Sequence, residues 1–384
     1  MGDSQQLFDQ LPTLRDQQGA TAVLDRLISF FETENRFHEL FEALKMRSRL
    51  NLGLPPAQME SGEKLPESVE LELERGLIDA CRQVGTGLLK NGRIREGWMY
   101  MRPVGDKSLA ADIMRSVEVT DDNVDEFLEV LVHEGVDISR GYELALTRMG
   151  TCNSITLFES AIAGRSRADQ KTAAGILVRH LHGELLANLK YDIARREGQD
   201  PTENSLEELL KSRPDLLRDG SYHLDTTHLS STVRFSRVLD DAEGLTKALD
   251  LTAYGRHLHP QFQYPGEEPF LDFYPASAIF FRALLGQGVD ASVRYFTQKA
   301  DSVDRAQYGT AAVEVLIDLL ARVGRVESAL EEMAKRMPQD ARPIGIAPTM
   351  LQLSHRLGNY NRMQEICHQR QDLLGFTAAL LQNG

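Results

Sequence analysis

At 384 residues, 42% hydrophobic and 26% charged, the chain is too long for one ordinary compact core, so two domains or an elongated repeat array are expected. No run of about 18 apolar residues occurs, which excludes a membrane-spanning helix. A net charge of −14 repels phosphate backbones and disfavours general nucleic-acid binding, leaving a protein, a peptide or a small molecule as the expected ligand.

The amino terminus, Met1-Gly2-Asp3-Ser4-Gln5-Gln6, lacks the cationic start and apolar stretch of a secretory signal. It also misses the myristoylation pattern at Gln6, so the cytoplasm is the expected compartment. Cys81, Cys152 and Cys367 stand far apart and form no Cys-x-x-Cys pair, which argues against a disulfide framework, a zinc ribbon or a redox motif. They read as buried thiols.

Taken in chain order, the segments repeat one pattern: an apolar helix, a small turn residue, a polar or basic residue and a second helix. Thr21 to Leu50 turns at Asn35-Arg36-Phe37, and Leu73 to Met101 turns at Gly92-Arg93-Ile94. Asparagine or glycine there supplies the left-handed conformation that ends a helix. Between Pro55 and Pro66, Pro55-Pro56, Gly62 and several charges mark an exposed loop. The segment Gly97 to Asp106 carries the only tryptophan, Trp98, and reads as a helix ending at Pro103 that packs on a neighbour. Asp121 to Glu126 begins another helix, leading into Asn123 to Phe158. Ala173 to Arg196 is strongly helical. After Gly198 the rhythm fails until about Pro275, and it then resumes with Phe280 to Ala300, which turns near Gly286-Gln287-Gly288. The last turns are Gly324-Arg325-Val326 and Gly358-Asn359-Tyr360, 34 residues apart.

That spacing is the tetratricopeptide period, and the stretch from Val315 through Leu330 resembles a tetratricopeptide or pentatricopeptide unit. The likeness covers about the last 110 residues well and three earlier segments loosely. The strict family pattern of tryptophan and tyrosine in the first helix and proline closing the second is missing; Pro338 is its nearest remnant. The resemblance implies an all-α superhelix of antiparallel helix pairs, a tetratricopeptide-like α-solenoid with a non-repeat central insertion. Three regions are expected: 1–158, 159–275 and 276–384. Such arrays curve to leave a concave groove that binds peptides or other chains, but the family supplies no particular partner.

The insertion is the candidate functional region, because six of the ten histidines fall within its neighbourhood: His180, His182, His223, His228, His257 and His259. On a helical wheel His182 sits with Val178, Leu189 and Ile193 on the apolar face, whereas His180 shares the other side with Glu184, Asn188, Tyr191 and Arg195. Asp225 is placed to cap a helix running to Leu239, on which His228 points inward near Phe235. His257 and His259 lead into a proline-broken aromatic and acidic stretch, Gln261 to Pro275, that reads as a lid or binding loop. If extended, it would turn both imidazoles to one side, as metal ligation requires.

Two uses of these residues are open. In one, His182, His223 and His228, joined by Asp225 or by His257 and His259, surround one zinc or iron ion whose bound water is activated, with Glu184 or Tyr222 carrying the proton. In the other, His180, Tyr191, Arg234 and Arg237 line a pocket for a carboxylate or phosphate ligand without a metal. No His-Glu-x-x-His, glycine-rich phosphate loop or Gly-x-Ser-x-Gly elbow accompanies them. The leading expectation is a helical-repeat interaction protein that binds a peptide or protein partner, and the alternative is a metal-dependent hydrolytic or oxidative enzyme at residues 180–275. The two differ in geometry: dispersed histidines on the first, imidazole nitrogens converging to about 2.0–2.3 Å from one point on the second.

Overall fold

The computed structural model describes residues 2–57, 64–203, 205–218, 220–338 and 344–382, with side chains from Gln5 onward. Gly62 of the expected loop lies outside this set, while Pro55 and Pro56 beside it are exposed. Among the described residues every regular element is a helix and no strand is present.

The chain divides into two compact units, residues 1–150 and 151–384. The first division expected at 158 thus falls at Gly150, whose φ of 77° interrupts a helix spanning Ile138–Leu157. No unit boundary falls at 275, which lies within the first turn of a helix spanning Phe273–Leu284.

The first unit contains α1 (Gly2–Thr33), α2 (Phe37–Asn51), α3 (Glu67–Lys90), α4 (Ile94–Val104), α5 (Lys107–Arg115) and α6 (Val124–Leu128), and then most of α7 (Ile138–Leu157). Asn35 (φ 55°) and Gly92 (φ 77°) occupy the left-handed region at the tight turns α1–α2 and α3–α4, as the turn pattern requires. Because these turns are only a few residues long and the paired helices stay in contact, α1–α2 and α3–α4 fold back on one another. One core cluster joins Ile28, Leu40, Leu44, Val84 and Leu88. A second gathers around Trp98, which is buried, with Ile94, Met101 and Phe127. Pro103 lies within the last turn of α4, which Gly105 closes at φ 73°.

The second unit contains α8 (Arg167–Glu197), α9 (Leu206–Ser212), α10 (Thr226–Phe235), α11 (Ala242–His257), α12 (Phe273–Leu284), α13 (Val289–Ser302), α14 (Arg305–Tyr308), α15 (Ala311–Arg322), α16 (Val326–Arg336), α17 (Met350–Leu357), α18 (Asn361–Gln369) and α19 (Leu373–Gln382). From α15 to α19 each helix packs mainly on its chain neighbours, and Gly324 (φ 82°) and Gly358 (φ 63°) form the tight turns within this run. The apolar face of α8, with Leu181, Leu185, Leu189 and Ile193 at helical spacing, packs on α10 and α11. Each such fully buried leucine contributes about 1.5–3 kcal/mol. Helices α11 and α12 approach so closely that a Cβ at Gly255 would stand 2.5 Å from the Tyr274 ring.

The aromatic segment after α11 is not an open lid. Pro260–Phe262 forms a short 3-10 turn, and Phe270 is buried, with its ring edge-on to Phe296 at 5.9 Å. Asp272 accepts hydrogen bonds from Tyr295 and Lys299, and Pro275 falls inside the first turn of α12. The chain reverses at Gly266 (φ 75°), where a Cβ would meet the Phe270 carbonyl oxygen at 2.2 Å. The segment therefore closes the core of the second unit. Of the three cysteines only Cys367 is buried; Cys152, expected to be buried, is exposed, because it lies on the outer side of α7.

Candidate functional site

The six clustered histidines do not converge. Nε2 of His182, on α8, lies 2.9 Å from Oδ2 of Asp250 on α11. His180, one residue to the other side of the wheel, lies 3.1 Å from the Thr151 hydroxyl and 3.8 Å from Glu184. His257 ends α11 with Nδ1–H donating to the Ala253 carbonyl at 2.7 Å. His259 caps the Pro260–Phe262 turn, accepting weakly from the Gln261 amide. The two therefore do not face one side of an extended strand. His228 donates its backbone N–H to Asp225, and its ring is half-buried. Among the described residues no group of three or more His, Cys, Asp or Glu side chains could hold a metal ion. The set expected to surround zinc or iron, His182, His223, Asp225, His228, His257 and His259, is thus not brought together. The physical reason is local: His182 and His223 each meet one facing carboxylate, His257 bonds within its own helix and His259 caps a turn.

Residues from both alternatives meet elsewhere, in an arrangement neither anticipated. Glu184, Tyr191, Tyr222, His223 and Asp225 line a shallow groove of about 550 Å³ between α8 and the segment that leads into α10. Glu184, Asn188, Tyr191 and Arg195 stand at i, i+4, i+7 and i+11 along α8, so they form one stripe. The α10 side is set by Asp225, whose carboxylate caps the helix by accepting from the Thr227 and His228 amides at 2.8 and 3.1 Å. The Thr227 hydroxyl hydrogen bond, ahead of these amides, holds the Asp225 carboxyl below the usual carboxylate range. Its oxygens are committed to capping.

Beneath the groove lies a buried relay. The Tyr254 hydroxyl accepts from the His223 backbone N–H at 2.8 Å and stands 3.2 Å from Nδ1, to which it directs its own proton. Nε2–H of His223 then donates to Asp192 Oδ2 at 3.0 Å. Asp192 also receives Arg195 at 3.0 Å and Arg196 at 2.7 Å. Burial raises the Asp192 carboxyl, but the His223 and Arg195 hydrogen bonds and the Arg196 charge outweigh it and leave the group below its ordinary value. Burial pushes the Tyr254 hydroxyl up to about 12. Both ring nitrogens of His223 are occupied, so it fastens the segment before α10 onto α8, and the Asn188 side chain adds a hydrogen bond to its carbonyl at 2.9 Å.

The exposed lining of the groove is aromatic and charged, with Glu184 on it as well as Arg195, whose guanidinium also bonds Asp192. Tyr191 is 74% exposed and Tyr222 is 54% exposed, the latter resting on Phe262 at 5.1 Å between ring centroids. The Arg195 side chain is 71% exposed beside them. Arg234 is instead drawn to Glu159, and Arg237 is enclosed in the core; neither reaches this groove, and nor does His180. Asp192 and Tyr254 were not anticipated. An aspartate beside Leu189 and Ile193 on the apolar stripe of α8 is the signal that would have found the first.

The sequence matches no protein-family model and none of the curated proteins compared with it. The fold therefore stands on its own geometry as an all-α protein of many helices.

Proposed function

We propose that the chain is an interaction protein of the tetratricopeptide-like kind, and that its partner is a peptide segment of another protein docked on the groove between α8 and the start of α10. The observation that carries this reading is the pairing of exposed Tyr191 and Tyr222 beside the Arg195 guanidinium. Tyrosine and arginine dominate binding energy at protein interfaces because they offer large, rigid contact area and directed charge. Tyr191 on α8 and Tyr222 just ahead of α10 both expose aromatic surface on this groove. The segment that fits carries an apolar or proline side chain for the two rings and an acidic residue two or three positions away for Arg195. The immobilised His223 relay supports the reading, since it presents a preformed surface.

Selection of displayed random peptides on the full-length protein tests it. A family combining an acidic and an apolar or proline residue is expected, with titrated affinity at least ~10-fold weaker for both Tyr222→Ala and Arg195→Gln. If no family is enriched, or the enriched peptides bind both variants as tightly as the parent, the reading is wrong.

A further inference from the structure

Elsewhere in the second unit three helices each turn an i, i+4 pair of polar side chains toward one cleft of about 600 Å³: Arg167 and Lys171 from α8, Asp318 and Arg322 from α15, Gln352 and Arg356 from α17. Its remaining wall is the loop 345–348, and Leu245, Leu284 and Pro348 give it an apolar side. The loop is held from behind. Glu314, fully buried one turn before Asp318, accepts the Ile344 amide at 2.8 Å and the Ile346 amide at 3.0 Å. Arg167 ties the Ile346 carbonyl through Nη1 at 3.0 Å while its Nη2 reaches both oxygens of Asp318 at 3.0 and 3.2 Å. The cleft is thus preformed rather than assembled on binding.

Its charges do not balance. Lys171 pairs with Asp240, and Arg167 and Arg322 share the single carboxylate of Asp318, Arg322 spending its other bonds on the Arg237 and Leu239 carbonyls. Arg356 makes no hydrogen bond or ion pair among the described residues. Directly behind, the Arg237 guanidinium has no hydrogen-bond partner among the described residues, and its Nε is buried. It lies over the Phe270 ring at 5.0 Å and shares the Phe280 ring with Arg322, at 5.9 and 5.6 Å. Burial lowers the Arg322 guanidinium, with the Arg167 charge adding to it, and burial draws that of Arg237 down to about 10. Four cations, Arg167, Lys171, Arg322 and Arg356, thus line the cleft against two carboxylates, Asp240 and Asp318, in a chain whose net charge is −14. Buried charge is normally neutralised by partners.

We infer that this cleft is a binding site for a compact organic dianion, whose charged groups pair with Arg356 and Lys171 at the mouth and whose carbon frame rests on Leu245, Leu284 and Pro348. Arginine forks match carboxylate and phosphate alike, so the shared chemistry is two negative charges on a small frame. The site is separate from the peptide groove and does not depend on it.

The test is calorimetric titration of the full-length protein with succinate, citrate, glycerol 3-phosphate and inorganic phosphate, each at the same ionic strength set with chloride. A saturable 1:1 isotherm is expected for the carboxylates or for the phosphates, the responding arm identifying the acid group. The affinity should weaken at least ~10-fold in both Arg356→Gln and Lys171→Gln. Both residues lie at the rim of the cleft and away from the core, so circular dichroism of each variant should match the parent, and Tyr222→Ala should bind the anion normally. No isotherm above the chloride control for any probe, or equal binding by both folded variants, would overturn the inference and leave the cations as an ion-pair network alone.

Discussion

Asp192 concentrates the electrostatics of the groove in one side chain. It is buried, yet three donors, His223, Arg195 and Arg196, meet its two oxygens and hold its carboxyl below the unfolded value. A carboxyl that is more acidic folded than unfolded contributes stability that is complete above its unfolded pKa of about 4 and is lost as pH falls through the folded value. Replacing Asp192 by Asn should therefore lower the urea midpoint at pH 7, and the gap between parent and variant should narrow as pH is taken from 5 towards 2. A gap independent of pH would show that the variant acts by packing alone. The same residue explains the fate of His223. A ring expected to ligate a metal is held by Tyr254 on one nitrogen and Asp192 on the other, so its chemistry is used in fastening two segments together.

At the scale of elements, helix ends carry much of the local specification. Asp225 caps α10 and leads the α10 side of the groove, a role written in its position just ahead of Thr226. Substituting Asp225 by Ala should cost about 1 kcal/mol of folding stability, with Ser restoring most of it, measured by chemical denaturation. A residue whose chief part was metal ligation would show no such rescue. The apolar stripes were legible in the same way: Leu185, Leu189 and Ile193 on α8, and Val315, Leu316 and Leu319 on α15, are buried as their spacing requires. Boundaries set by left-handed turns, at Asn35, Gly92, Gly324 and Gly358, fall where glycine or asparagine stands. The segment Gln261 to Pro275 was legible only as non-helical. Its prolines announced a loop, but the insertion of Phe270 against Phe296 depends on a neighbour far along the chain.

For the whole molecule, the two units each have their own buried core, so residues 1–150 and residues 151–384 produced separately should each give a helical spectrum and a cooperative thermal transition. A fragment that melts without a transition would mean that its core is incomplete. The sequence by itself determined the helical class, the turn positions and the stripes that pack, because these depend on periods of a few residues and on conformations that one residue type permits. It divided Glu184, Tyr191, Tyr222, His223 and Asp225 between a metal site and a separate ligand pocket, whereas all five line one groove. Only the tertiary structure decided which side chains meet. The 68 positions between His182 and Asp250, and the 151 between Arg167 and Asp318, are closed by helix packing that no local pattern records. A charged residue on a helix looks alike in sequence whether it faces water or a facing charge, and so the cationic cleft of α8, α15 and α17 became visible only once three i, i+4 pairs were set against one another.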